Sequence, residues 1–529
     1  MKRKWSVLLC LLTLVCLLCV SANAEEAPVI VEQPCTGIIQ NGDFPEAPQP
    51  GLQMYTSEQS ADDALADVKA ALKQGLLEMK ASLDISQYRI SEETLGEIYP
   101  QVVNENPELF FVQGGCVYQM MGGIVSNVLP DYLWGEEVVN ELTGEQKSQI
   151  RQKQTALEQV VNGILAQVDP DWSDLEKALF LHDYLATHAQ YDETLQIRDA
   201  YTILVEGTGV CQAYTLAYRL LLNRVNITSG TVTSTSLNHI WNILLIDGNW
   251  YHVDVTWDDP TEDRIGQSQH VYFCLSEDKL KATNNGAHNA HDFKYSLNVK
   301  TDDKTFDNYY WANVDSAFVP LNGKWYYLLY QSGLMQTADP KQEGSLMKQI
   351  SERWPEWGKP GWSWNGLYSG LSRYNDELIY NTTDTVYRYD PKSETEQKVY
   401  SLTAAERSEG YICGTVVVGN ELRYLVQQSP YAEEPAAPRV YRLDPYTAVT
   451  AGGYAYYLEG KTLYLKPSGT QSGSVIAAWY SEEDKLLGIL ILNGGELTAD
   501  VSGAKTVKIF AAANTDYHPL CEATVRTIG

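Results

Sequence analysis

Basic residues are scarce in this 529-residue chain, where 39 lysines and arginines stand against 68 aspartates and glutamates for a net charge of −29. That balance has the wrong sign for phosphate backbones and anionic lipids, which argues against a nucleic-acid partner. Long apolar runs are equally rare. One, from Val7 to Val20, lies between Lys2-Arg3-Lys4 and Ser21-Ala22-Asn23-Ala24, the three parts of a secretory leader ending at residue 24. Leu18 before Cys19 speaks against lipidation, and no later run is long enough to span a bilayer. The expectation is a secreted or cell-surface protein with no membrane span once the leader is gone.

Clustered cysteines are missing too. Of the 9 cysteines, Cys10, Cys16 and Cys19 belong to the leader; Cys35, Cys116, Cys211, Cys274, Cys413 and Cys521 are scattered, without metal-ligand spacing. No metal and no cofactor is expected. If one of the six is a nucleophile, the odd remainder argues against a disulfide framework. Stability then rests on core burial, which this length and a hydrophobic content of 44% permit.

What is present is a chemistry spread over three short blocks. Gly207-Thr208-Gly209 is a turn-forming lead-in, and Ala213, Ala217, Leu220 and Leu221 after it keep the spacing of one helical face. Cys211 therefore falls at a helix start, where unpaired N–H groups and the helix dipole favour thiolate, the species that attacks a carbonyl. His239 to Ile246 and Asn249 to Trp257 are rich in Ile, Val, Trp and Tyr, and Asp247-Gly248 between them signals a two-residue hairpin. If Ile246 pairs with Asn249, Trp241 falls opposite Asp254 and His239 opposite Thr256. His239 and Asp254 are then diagonal neighbours on one face, ~7–8 Å apart along the backbone. Two other histidines compete for attention. His182, on an apolar helix face, reads as a core residue; His252 shares the hairpin face of His239 and is a rival base, nearer the turn and opposite Ile243.

Gly-Val-Cys-Gln-Ala-Tyr at 209–214, His-Ile-Trp-Asn at 239–242 and the Asp-Gly-Asn-Trp-Tyr-His-Val-Asp-Val-Thr-Trp-Asp-Asp-Pro run at 247–260 resemble the bacterial transglutaminase-like superfamily. The resemblance spans about Trp172 to His291. It implies a papain-like α+β core in which Cys211 is the nucleophile, His239 the general base and then acid, and Asp254 the residue that orients the imidazole. Ile240 stands where relatives commonly carry a small residue, which narrows the acyl pocket.

The rest of the chain reads as a multidomain α+β protein. The expected parts are the leader (1–24), an α+β region (25–168), the transglutaminase-like core (169–300), a Tyr- and Trp-rich β-repeat domain (301–447) and a C-terminal β-sandwich of immunoglobulin-like appearance (448–529). In the first region the pattern predicts an unpatterned arm to about Gly51, a helix carrying Leu65 to Leu83, and a second helix from Ser91 to Asn104 broken near Pro100. A strand from Asn106 to Val112, paired with one at Cys116 to Met121, follows. Capping boxes at Thr143–Gln146 and Ser173–Glu176 open two more helices. Val-Tyr-Arg-Tyr-Asp-Pro at 386–391 recurs as Val-Tyr-Arg-Leu-Asp-Pro at 440–445, a spacing of 54 that fits blade-like units too few for a closed propeller. The tryptophans at 354, 357, 362 and 364 either stack on sugar or peptide or pack between strands.

Two classes of function follow. In one, the thiolate of Cys211 attacks a glutamine carboxamide or peptide carbonyl and forms a thioester that passes to an amine or to water. Transfer, deamidation and proteolysis are not separable here, and the partner is a protein or peptide. In the other, the core is an inert scaffold and the β modules bind extracellular glycan or protein.

Overall fold

A computed structural model describes residues 61–527, apart from 136, 260–264, 433–435, 444–446, 450–452, 460, 469–472, 496 and 515–516. The expected leader, the arm to Gly51 and the Asp444-Pro445 end of the second repeat lie outside the described residues. Two compact units divide the chain: 1–416 with 424–439, and 417–423 with 440–529.

The first unit begins with an α+β layer. Helices Ala61–Leu77 and Glu92–Glu105 cover an antiparallel sheet built mainly from Val112–Met121 and Ile124–Trp134. The expected break at Pro100 does not occur. An interior proline costs ~3 kcal/mol through a lost hydrogen bond and a clash with the carbonyl one turn back, but Leu95, Ile98, Tyr99 and Val102 are buried on both sides of it and hold the helix together. The strands also differ from expectation. Residues 107–109 form a turn of 3-10 helix, so the partner of Val112–Met121 is the following strand, Ile124–Trp134.

Helix Gly144–Leu165 starts at the Thr143–Gln146 capping box and helix Asp174–His188 at the Ser173–Glu176 box, each with both reciprocal bonds made. The second of these packs with helices Ala200–Glu206 and Cys211–Arg224 around one core, sharing Leu179, Tyr218 and Leu221 with Leu244, Val253 and Phe273 of a five-stranded antiparallel sheet. The strand order there is Phe273–Leu275, Asn249–Val253, His239–Ile246, Ser229–Ser234 and Lys294–Tyr295. Antiparallel sheets follow as meanders, four strands over 319–349 and four over 371–401. Trp354 is fully buried and donates to the Ile412 carbonyl at 2.6 Å, whereas Trp362 is 67% exposed, so the tryptophan cluster divides between packing and surface. The architecture is thus an α+β core followed by all-β sheets.

In the second unit two four-stranded antiparallel sheets share a core of Val449, Tyr454, Leu463, Val475, Leu492 and Ile509, the arrangement of a sandwich. Cys211, Cys274 and Cys521 are free thiols. Among the described residues no helix is long and apolar enough to cross a membrane.

Candidate active site

The position of Cys211, the expected nucleophile, follows from two glycines. Gly207 closes helix Ala200–Glu206 in the left-handed region at φ 83°, a conformation that a side chain disfavours. At Gly209 a Cβ would sit 2.5 Å from that of Ala213, so only glycine lets the chain turn directly into the next helix. Cys211 is the first residue of that helix. Its cap, Val210, offers no side-chain acceptor, so the first-turn N–H groups stay available and the positive end of the dipole falls on the sulfur.

The hairpin delivers the imidazole. Its register is the expected one, Ile246 opposite Asn249 and Ile243 opposite His252, up to Asn242 opposite Val253. Beyond Val253 it departs from expectation. Asp254 leaves the sheet to become the N-cap of a four-residue helix, Val255–Asp258, accepting from the Trp257 N–H at 3.3 Å. Thr256 is therefore not paired with His239. The physical reason is local capping: a carboxylate that satisfies a free helical N–H favours the turn over another strand pair. Asp254 and His239 still meet, with His239 Nε2 2.6 Å from Asp254 Oδ2. With Nε2 so occupied, the other ring nitrogen is the one left for sulfur, and the His239 ring and the Ile240 N–H both act on the Cys211 thiol to lower its pKa.

A polar clamp keeps sulfur and imidazole in register. Thr215 Oγ1 lies 2.8 Å from the Cys211 carbonyl and 3.0 Å from the Ile240 carbonyl, and Asn242 Nδ2 donates to the Thr215 carbonyl at 3.1 Å. The helix that begins at Cys211 is thereby fixed to the strand that carries His239. Ile240 is buried beside the sulfur. Trp241 stacks on His239 with ring centroids 5.4 Å apart, and Trp257 lies tilted at 5.8 Å, keeping 38% of its surface exposed.

Burial alone would raise the Cys211 thiol, but the hydrogen bond and charge of His239 pull it below the ordinary range. Burial alone would lower His239; the Asp254 charge and hydrogen bond outweigh that and push it up. Asp254, fully buried, is held well below the usual carboxylate range by His239 and by a second histidine, His288. The three shifts all favour the charged forms, thiolate, imidazolium and carboxylate. Iodoacetamide alkylation of Cys211 is therefore expected to have its acid limb below the ~8.5 of a free thiol. Turnover should follow a bell whose acid limb is loss of the thiolate and whose alkaline limb, above the ~6.5 of a free imidazole, is loss of the His239 proton. Mass spectrometry of the alkylated chain against pH checks the first, and initial rates check the second.

The rival histidines go elsewhere. His252 Nδ1 accepts from Trp241 Nε1 at 2.9 Å, its Nε2 faces Thr301 Oγ1 at 2.9 Å, and burial pulls it down to about 3. His182 is buried between Asp183, 2.9 Å from its Nδ1, and Asp258, 3.2 Å from its Nε2. The His182, Asp183 and His270 set, and the His239, Asp254 and His288 set, each bring nitrogen and oxygen atoms within 4.8 Å of one another. In both, those same atoms are spent on mutual hydrogen bonds, so the sets are hydrogen-bonded triads.

A family model described as Transglutaminase-like superfamily matches residues 158–255. Those residues are a transglutaminase-like domain. It contains Cys211, His239 and Asp254, whereas His288 lies beyond its matched end. Solved structures similar to the chain include a candidate cysteine protease from Cytophaga hutchinsonii, 17% identical over 27% of this chain and 47% of its own, with a TM-score of 0.18. A structure titled as a TGase is 14% identical over 30% of this chain and 47% of its own, with a TM-score of 0.18. A candidate protease from Parabacteroides distasonis is 13% identical over 27% and 35%, with a TM-score of 0.16. This chain thus spans less than half the length of each. No curated protein matches the sequence.

Proposed function

We propose that the protein is a secreted cysteine-nucleophile acyl transferase or amide hydrolase, acting on a glutamine carboxamide or a peptide carbonyl. The observation that carries this reading is Cys211 at a helix N-terminus, its thiol pulled down by His239, with His239 in turn held at 2.6 Å on the buried Asp254 carboxylate. The thiolate adds to the carbonyl carbon, and charge develops on the carbonyl oxygen near the unpaired first-turn N–H groups, of which that of Cys211 is the nearest donor. The intermediate collapses with cleavage of the C–N bond while His239 gives its proton to the leaving nitrogen, leaving a thioester on Cys211. An incoming amine or water then loses its proton to His239 as it attacks the thioester, which releases the product and restores the ion pair.

The leader pattern supports export, and the β modules, with Trp362 at their surface, serve in this reading to hold the enzyme on extracellular protein or glycan. The deciding experiment incubates the full chain with a glutamine-containing protein and a labelled primary amine and weighs the products intact. Amine incorporation marks transfer, a gain of about one mass unit at glutamine marks deamidation, and shortened chains mark proteolysis. A substrate unchanged by any route, with Cys211 no more reactive than a model thiol, leaves the core a scaffold and the reading without support.

A further inference from the structure

We infer that His288 is a positioning residue of this site, a second imidazole that holds the Asp254 carboxylate in place for His239. The inference rests on the acyl-transfer reading and deepens it. His288 follows the short helix Glu277–Ala282 on a loop whose Gly286 is in the left-handed region at φ 85°. The chain returns there to the hairpin: His288 Nε2 lies 2.8 Å from Asp254 Oδ2, the same oxygen that takes His239 Nε2 at 2.6 Å. One carboxylate oxygen thus serves two rings, while Oδ1 caps the helix through the Trp257 N–H.

The surroundings of His288 define how it acts. The ring is fully buried, with the rings of Trp257, Tyr272 and Trp241 at 4.4, 4.9 and 5.4 Å, and its Nδ1 has no hydrogen-bond partner among the described residues. A buried N–H left unbonded costs more than a lone pair left unbonded, so the tautomer that fits carries its proton on Nε2 and donates to Asp254. The donor does not depend on the state of His239. As His239 gives up and regains its proton during turnover, Asp254 keeps one constant bond and cannot turn away. The other titratable groups facing this ring are Asp254, His239, His252 and Tyr272. His252 is pulled down to about 3 and burial pushes the Tyr272 phenol far up, so neither changes charge near neutrality.

Two substitutions test this in the full chain. His288→Phe keeps the aromatic box and removes the donor; His288→Gln returns an N–H within reach of Asp254. In His288→Phe the acid limb of Cys211 alkylation should move up by about one pH unit, and kcat should fall roughly ten- to hundredfold, the worth of one hydrogen bond to a buried charge. KM should stay as it was, and His288→Gln should recover most of both effects. A folded His288→Phe with wild-type acid limb and kcat overturns the inference alone, because the wild-type limb still stands below the thiol range. A wild-type limb at the free-thiol position takes down the acyl-transfer reading and this inference together. Should His288→Phe fail to fold, nitrogen NMR of the histidine-labelled wild-type chain decides: a proton on Nε2 of His288 is expected, and a proton on Nδ1 rejects the proposed role.

Discussion

Cys211→Ala is expected to abolish amine incorporation and hydrolysis alike, by on the order of 10⁴-fold or more, and to leave the protein folded. The fold should survive because residue 211 occupies the first position of a 14-residue helix, where alanine is the best helix former and the sulfur is only partly buried. What is lost is the interaction of the thiol with His239 and the Ile240 N–H; the clamp of Thr215 on the two carbonyls is untouched. Chemistry should not survive, because no neighbouring group can replace the nucleophile. The Thr215 hydroxyl is already spent on backbone carbonyls. Residual turnover in a folded Cys211→Ala chain would place the reactive group elsewhere and end the acyl-transfer reading, whereas lost turnover with an unchanged melting curve supports it.

The residues of that site were legible before any coordinates because each was announced by local chemistry. Glycines ahead of Cys211 mark a helix start, and Asp247-Gly248 fixes the pairing that brings His239 toward the turn out of the second strand. What stayed hidden was set by tertiary contact. Asp254 sits in a run of β-favouring residues, yet its carboxylate finds the Trp257 N–H and the chain turns. His288 lies 34 residues further on, after a loop of Asn284, Asn285 and Gly286 with no periodic pattern, and nothing local connects it to a carboxylate. The same distinction separates His182 from the residue beside it. His182 on its apolar stripe was recognisable as core, but its neighbour Asp183 reads as a solvated helix residue until His270, Ser268 and Phe318 arrive from elsewhere in the chain.

Asp183→Ala is expected to be the most destabilising single change in the core, by about 3–5 kcal/mol, the usual effect of removing one partner from a buried ionic group. Asp183 is only 2% exposed, and its Oδ1 takes His182 Nδ1 at 2.9 Å, His270 Nε2 at 2.8 Å and Ser268 Oγ at 2.9 Å, while Oδ2 takes the Phe318 N–H at 2.6 Å. The substitution therefore strands four donors at once and opens a cavity besides. It also carries a pH signature that a mere packing defect lacks. Burial alone would lower His182, but its hydrogen bonds to Asp183 and Asp258 push it up to about 9. A raised pKa contributes stability that is full below the ~6.5 of an unfolded histidine and is lost as pH climbs through about 9. Asp183 itself is held well below the usual range by His270 and His182, against burial, so its share is present above ~3.9 and lost on acidification. The wild-type chain should thus be most stable between about pH 4 and 6.5 as far as this network decides, and should weaken toward pH 9. In Asp183→Ala the alkaline part of that slope should flatten, since His182 keeps only Asp258, 3.2 Å away. Urea unfolding followed by near-ultraviolet circular dichroism at pH 5.5, 7.5 and 9 measures both effects. Equal slopes in the two proteins would mean that the pair formed by His182 and Asp183 is neutral in the fold, and that uncharged hydrogen bonds tie the helix Asp174–His188 through Asp183 to Ser268, His270 and Phe318.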